Sequence, residues 1–206
     1  MSPVQTLPPI SAPQENTSFP DSPWIAPLEN KWEAATSFPD FLPTAEGENV
    51  GLWNGVYERA TIDSALVARL SRIPGYWRLL VLSADWCGDA ANTVPVIARL
   101  AAAAPFVDLR LLDRDEHLDL MDAHLTNGKA RSIPVAVLVD VLGKAHGWWG
   151  PRPGVLQEWV MEHGLALPKD ERYPLVRRWY ARDKGRTTAA EITALIERAA
   201  GVQPAE

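Results

Sequence analysis

A second cysteine is missing from this sequence: Cys87 stands alone among 206 residues. No internal disulfide can form, and a Cys-rich zinc site is excluded with it. The shortage fits a reducing compartment. Long hydrophobic runs are missing too, since none approaches the roughly 18 apolar residues of a membrane span. Met1 to Phe19 has neither a basic opening nor the apolar core of about seven or more residues that a secretory leader carries. A soluble cytoplasmic protein is therefore expected. Positive charge is the scarcer sign, with 20 Lys and Arg against 26 Asp and Glu. The resulting net charge of −6 disfavours a general affinity for nucleic acid or for an anionic membrane. His117, His124, His146 and His163 show no ligand spacing with Cys87 or with a carboxylate pair, so no metal is expected. Neither a phosphate-cradling glycine motif nor a Gly-x-Ser-x-Gly elbow is present, and no cofactor is expected.

What is there is an ordinary globular composition, 47% apolar and 22% charged, long enough for one domain with extensions. Residues 1–28 carry Pro3, Pro8, Pro9, Pro13, Pro20, Pro23 and Pro27. Fixed φ and missing N–H donors exclude regular helix or sheet there. The stretch 1–45 reads as a proline-rich, partly irregular arm, with Trp24, Ile25, Trp32, Phe38 and Phe41 as candidate anchors. A disordered tail as far as residue 22 is the alternative.

Organised structure is expected from Thr61, a plausible N-cap ahead of the helical face Ile62, Leu66, Val67 and Leu70. Trp77 to Ser83 reads as a buried strand, apolar without alternation as a central parallel strand is. Asp89 to Ala103 is helical by composition, kinked at Pro95. Val107, Leu109 and Leu111 alternate with Asp108 and Arg110 as a second strand. Glu116 to Leu125 forms a short helix ending at Asn127-Gly128. Val135 to Val139 and Ala145 to Trp149 form a hairpin about Gly143-Lys144. Gly154 to His163 is a further helix. Residues 166–206 add two more: one groups Leu175, Val176, Trp179 and Tyr180 on a face, and the other opens on a Thr188/Glu191 capping-box spacing. Trp179, Leu195 and Ile196 are expected to pack on the core. This order makes an α/β domain over 46–165, a mixed sheet covered on both faces, with a C-terminal helical extension over 166–206.

The chemistry-bearing motif is Trp86-Cys87-Gly88-Asp89-Ala90, at the junction between the first strand and its helix. With Ala84 and Asp85 before it, Pro95 eight residues beyond the cysteine, and Ser132-Ile133-Pro134 ahead of an apolar strand, it resembles the active-site entry of the thioredoxin family. A closer resemblance is to a bacterial thioredoxin-like subfamily, through residues 86–90, 125–134, 149–153 and 179–184 taken in order. The resemblance implies a three-layer α/β/α fold with four to five strands, an N-terminal arm and added C-terminal helices. It also implies a cis Pro134 beside Cys87; a trans proline opening an edge strand is the alternative. Two departures stand out. Ala90 occupies the position of that family's second cysteine, and Val81 the position of its buried acid.

A dithiol reductase attacks with one thiolate and releases the mixed disulfide with the other. With Ala90, release needs an external thiol. An unperturbed cysteine titrates near ~8.5 and is only a few per cent ionised at neutral pH. A helix N-terminus favours the thiolate by about 0.3–1 kcal/mol, while the flanking Asp85 and Asp89 oppose it. These effects roughly cancel, so no strongly activated thiol is expected. Lys129 or Arg131 tips the balance if the fold brings either within ~6 Å. Asp89 reads either as a carboxylate serving the first helical turn or as a proton-transfer group. The expected site is Cys87 as nucleophile, lined by Trp86, Gly88, Asp89, Ile133 and Pro134.

Two functions from different classes follow. One is monothiol exchange with a protein or low-molecular-weight thiol or disulfide. The other is a non-catalytic module that pairs an extended partner segment with the exposed Ile133 backbone in the Cys87/Pro134 groove. Peroxide sensing needs a low-pKa thiol that the aspartates argue against. Trp148 to Pro153 reads as a rigid tryptophan-packed loop, or else as an aromatic and basic rim. Arg177, Arg178, Arg182, Lys184 and Arg186 read as a solvated helix face, or else as a site for an anion or glutathione.

Overall fold

The computed structural model describes residues 7–10 and 19–202. Pro3 and Pro13 of the arm, and most of the Met1–Phe19 stretch, lie outside the described residues. Five strands form one mixed sheet in the order β1-β3-β2-β4-β5, namely β1 (Thr36–Ser37), β2 (Trp77–Ser83), β3 (Val107–Asp113), β4 (Val135–Val139) and β5 (Ala145–Trp149). The β2–β3 pair is parallel; β1, β4 and β5 each pair antiparallel with their neighbours. Every residue of β4 is buried, as its Val-rich run requires when helices cover both faces of a sheet. The fold is α/β, three-layered and thioredoxin-like, with added C-terminal helices.

Register decides where the functional residues meet. Leu82 pairs with Val135, so the end of β2 lies beside the start of β4. The chain leaving β2 toward Cys87 therefore runs next to Ile133 and Pro134, although nearly 50 residues separate them in sequence.

Helix α5 (Gly88–Ala103) follows β2 and contains Pro95 without ending there. Its buried stripe, Val94, Ile97 and Leu100 among others, follows the spacing of one helical face. Helices α3 (Val50–Arg59) and α9 (Arg186–Ala199) pack on α5. Leu195 and Ile196 of α9 lie in the main core.

Several expectations change. Organised structure begins with α1 (Glu29–Ala34), not near Thr61, and α2 (Phe38–Phe41) and α3 also precede that residue. The helix expected at Thr61 is α4 (Ser64–Leu70), capped by Asp63, whose carboxylate accepts from Ala65 N. Helix α6 is confined to Leu118–Ala123. Trp179 is fully buried, but in a second cluster with Leu156, Trp159 and Tyr180. That cluster joins α7 (Gly154–Glu162) to α8 (Lys169–Asp183). Thr188 and Glu191 form no capping box, because α9 starts at Arg186 and both residues are buried inside it.

The arm is held at several points. Trp32 and Phe38 are buried, Trp24 and Phe41 pack partly, and Ile25 is 95% exposed and anchors nothing. Trp148 N donates to Pro20 O, and Leu28 N to Gly143 O. Ser22 Oγ lies 2.7 Å from Nε2 of buried His124.

Candidate functional site

Cys87 caps α5 with an extended backbone. The turn before it is clamped from α3: Trp53 donates through Nε1 to Asp85 O at 3.0 Å, and Asn49 through Nδ2 to Trp86 O at 2.6 Å. Asp85 itself accepts from the backbone N–H groups of Glu46 and Gly47 at 2.9 and 2.8 Å. Its carboxylate is thus committed to that loop, and the carboxylate charge that weighs most on Cys87 is that of Asp89. Of the two flanking aspartates expected to oppose the thiolate, Asp89 is the leading influence.

The Cys87 thiol donates to Ile133 O at 3.5 Å, and the Ile133–Pro134 peptide is cis. Ile133 and Pro134 are buried, so the Ile133 carbonyl is occupied by the thiol rather than standing free for a partner strand. Cys87 is 9% exposed. Burial is the main influence on the thiol and pushes its pKa up; the N–H groups of Ala90 and Asp89 pull it down, the Asp89 charge raises it, and Arg152 lowers it. The net direction is upward, so the thiol is neutral at physiological pH. Desolvation outweighs the balance of nearby charges that the sequence suggests.

Asp89 does not serve the free amides of its helix turn. One carboxylate oxygen accepts from the Arg152 guanidinium, and the other from the Tyr180 hydroxyl at 2.9 Å. Arg152 reaches this place on the loop between β5 and α7. Gly150 in that loop has φ +133°, and a Cβ there would lie 2.1 Å from Pro134 O, so only glycine lets the loop press against the proline segment. Glu191 fixes the two ends of the loop, accepting from Trp149 Nε1 at 2.6 Å and from Gly154 N at 2.9 Å. Burial raises the Glu191 pKa to about 7.

A cavity of about 280 Å³ opens here, lined by Asn49, Trp86, Cys87, Asp89, Arg152 and Tyr180 among others. Gly88 also faces it. Trp86 is 51% exposed at its edge, under the Arg114 guanidinium at 5.0 Å. Arg131 holds Asp122 at 2.6 and 2.8 Å, and neither it nor Lys129 lines the cavity or stands among the leading influences on Cys87. The cation that does is Arg152, which sequence reasoning assigned to a packed loop. Tyr180 and Glu191 were missed as site-building residues as well. Among the described residues no cluster of His, Cys, Asp and Glu is arranged to hold a metal.

The thioredoxin family model matches residues 35–171, from just before β1 into α8. The chain belongs to the thioredoxin family. A crystal structure of a protein of unknown function from Pseudomonas aeruginosa superposes with a TM-score of 0.68 at 20% identity, covering 85% of this chain and 99% of that one. An HIV epitope scaffold superposes with a TM-score of 0.67 at 19% identity, covering 84% and 99%. These similarities establish the thioredoxin-like fold. No curated protein matches the sequence. Ala90, fully buried one helical turn after Cys87, leaves this thioredoxin family member without a resolving thiol of its own. No helix among the described residues is long and apolar enough to cross a membrane.

Proposed function

We propose that this protein is a cytoplasmic monothiol member of the thioredoxin family, of the Trp-Cys-Gly-Asp-Ala type, exchanging thiol and disulfide through Cys87. The observation that carries the reading is the meeting of Cys87 Sγ with the Ile133 carbonyl at the wall of an open cavity. In the reaction Cys87 loses its proton to solvent and its thiolate attacks a disulfide RS–SR′. A Cys87–SR bond forms, the S–S bond breaks, and R′S⁻ leaves. An external thiolate then attacks the Cys87–SR disulfide, carries away RS as a new disulfide, and restores the Cys87 thiolate. Redox equivalents are conserved because each step exchanges one S–S bond for another. Partners on this reading are proteins or low-molecular-weight thiols and disulfides, held by the domain 46–165, with 1–45 as an arm and 166–206 as a C-terminal helical extension.

A second reading, a non-catalytic binding module in the Cys87/Pro134 groove, is favoured by one observation: burial keeps the thiol protonated. Intact-mass analysis after incubation with glutathione disulfide separates the two. Exchange predicts one adduct, absent in Cys87→Ser and removed by added dithiol. A folded protein that stays unmodified while its unfolded chain reacts supports the binding module.

A further inference from the structure

We propose that the groove between α3 and α8 binds a small carboxylate amphiphile, an acyl or aryl body ending in one anionic group. The groove encloses about 580 Å³, within the range of ordinary small-molecule sites. Asn92 and Val96, one turn apart on α5, line it, with Leu52, Val56 and Ala60 from the α3 side and Tyr180 and Ala181 from α8. The same groove is bordered by Arg59 at the end of α3, Arg177 within α8 and Lys184 at the α8 C-cap, and no carboxylate lines it.

The border of the groove is positive in a chain that is negative overall. In a chain of net charge −6, Arg69, Arg131 and Arg152 each hold a carboxylate. Arg59, Arg177 and Lys184 have no such partner among the described residues. Three unpaired cations drawn from two helices and bordering one apolar hollow match an anionic head on a hydrocarbon body. The head gains charge-assisted hydrogen bonds, and the body is withdrawn from water. A cationic amphiphile meets repulsion, and a neutral one lacks the head interaction.

Both ends of the groove are built to hold its shape. At one end the turn between α8 and α9 lies directly on α5: Gly185 has φ +79°, and a Cβ there would lie 2.5 Å from a Val96 methyl. At the other, the Tyr180 hydroxyl is tied to Asp89. Leu52, Asn92, Arg177 and Tyr180 also line the Cys87 cavity, so the two hollows adjoin. The groove's ligand preference does not depend on the thiol chemistry.

The test is calorimetric titration of the full chain with decanoate, decanol and decyltrimethylammonium below their micelle-forming concentrations. Saturable one-to-one binding of decanoate, at least tenfold tighter than decanol and with no binding of the cation, is expected. Arg177→Glu combined with Lys184→Glu weakens decanoate at least tenfold, and Ala181→Trp blocks it while circular dichroism shows the fold retained. Equal affinity for the three probes, absence of saturable decanoate binding, or indifference to the charge reversals overturns the proposal.

Discussion

The carboxylate of Asp89 faces the guanidinium of Arg152, 63 residues further along the chain, at the wall of the Cys87 cavity. Two residues from the cysteine, Asp89 raises the thiol pKa, while Arg152 answers by lowering it. Tyr180 supplies the third corner through its hydroxyl, and burial beside that charge drives its own pKa well upward. The thiol thus sits beside a paired charge rather than a free one, and desolvation decides its state.

Removing the Asp89 charge leaves Arg152 as the nearer influence on the sulfur. Asp89→Asn is expected to lower the Cys87 pKa and to speed alkylation by iodoacetamide several-fold at pH 7.5. Arg152→Met is expected to do the reverse. The rates, followed by mass spectrometry, check both directions.

Ala90→Cys places a second thiol one helical turn after the first. A mixed disulfide on Cys87 then collapses by attack from within, releasing the bound thiol. Loss of the glutathione adduct without added reductant is the expected mass-spectrometric result. The wild-type adduct persists under the same conditions.

Glu191 connects the loop that carries Arg152 to pH. Its folded pKa is about 7 against an ordinary 4.5, so between those values the folded chain holds a proton that the unfolded chain has lost. Stability attributable to Glu191 therefore falls as pH rises through this window, by on the order of 3 kcal/mol in total. Asp183, also raised, acts in the same sense, and buried His124, whose pKa is lowered, in the opposite one. Comparison with Glu191→Gln at each pH isolates the effect: urea midpoints of the wild type should drop relative to the variant between about pH 4.5 and 7.

Asp85→Ala removes the acceptor for the Glu46 and Gly47 amides. A loss of about 1.5–3 kcal/mol is expected, the range for hydrogen bonds to a charged group. Denaturant unfolding measures it. Faster amide exchange at residues 46 and 47 would locate it.

Legibility in the sequence followed the physics of each element. Strand β4 stood out as an unbroken apolar run and β2 through Leu79 to Leu82, with Cys87 and Pro134 near their ends. Helix α3 was hidden by Gly51 and Gly55, which weaken helix propensity, although Leu52, Trp53, Val56 and Tyr57 hold one face. Strand β1 has two residues, too few for a period to register. Asp85 and Asp89 flank Cys87 equally on paper; only the fold sends one to the 46–47 loop and the other to Arg152. Glu191 follows Thr188 at capping-box spacing, a pattern shared with a buried residue that fastens a distant loop. Long-range partners leave no periodic trace, which is why Arg152 and Tyr180 emerged only from the three-dimensional arrangement.

The most direct test measures the rate of adduct formation between the native protein and glutathione disulfide across the pH scale, with Cys87→Ser as blank. The account predicts a slow reaction at neutral pH that accelerates on the alkaline side of an ordinary cysteine (about 8.5) and stops at one adduct per chain. A rate already at its plateau below pH 7, or a native thiol that never reacts, contradicts it.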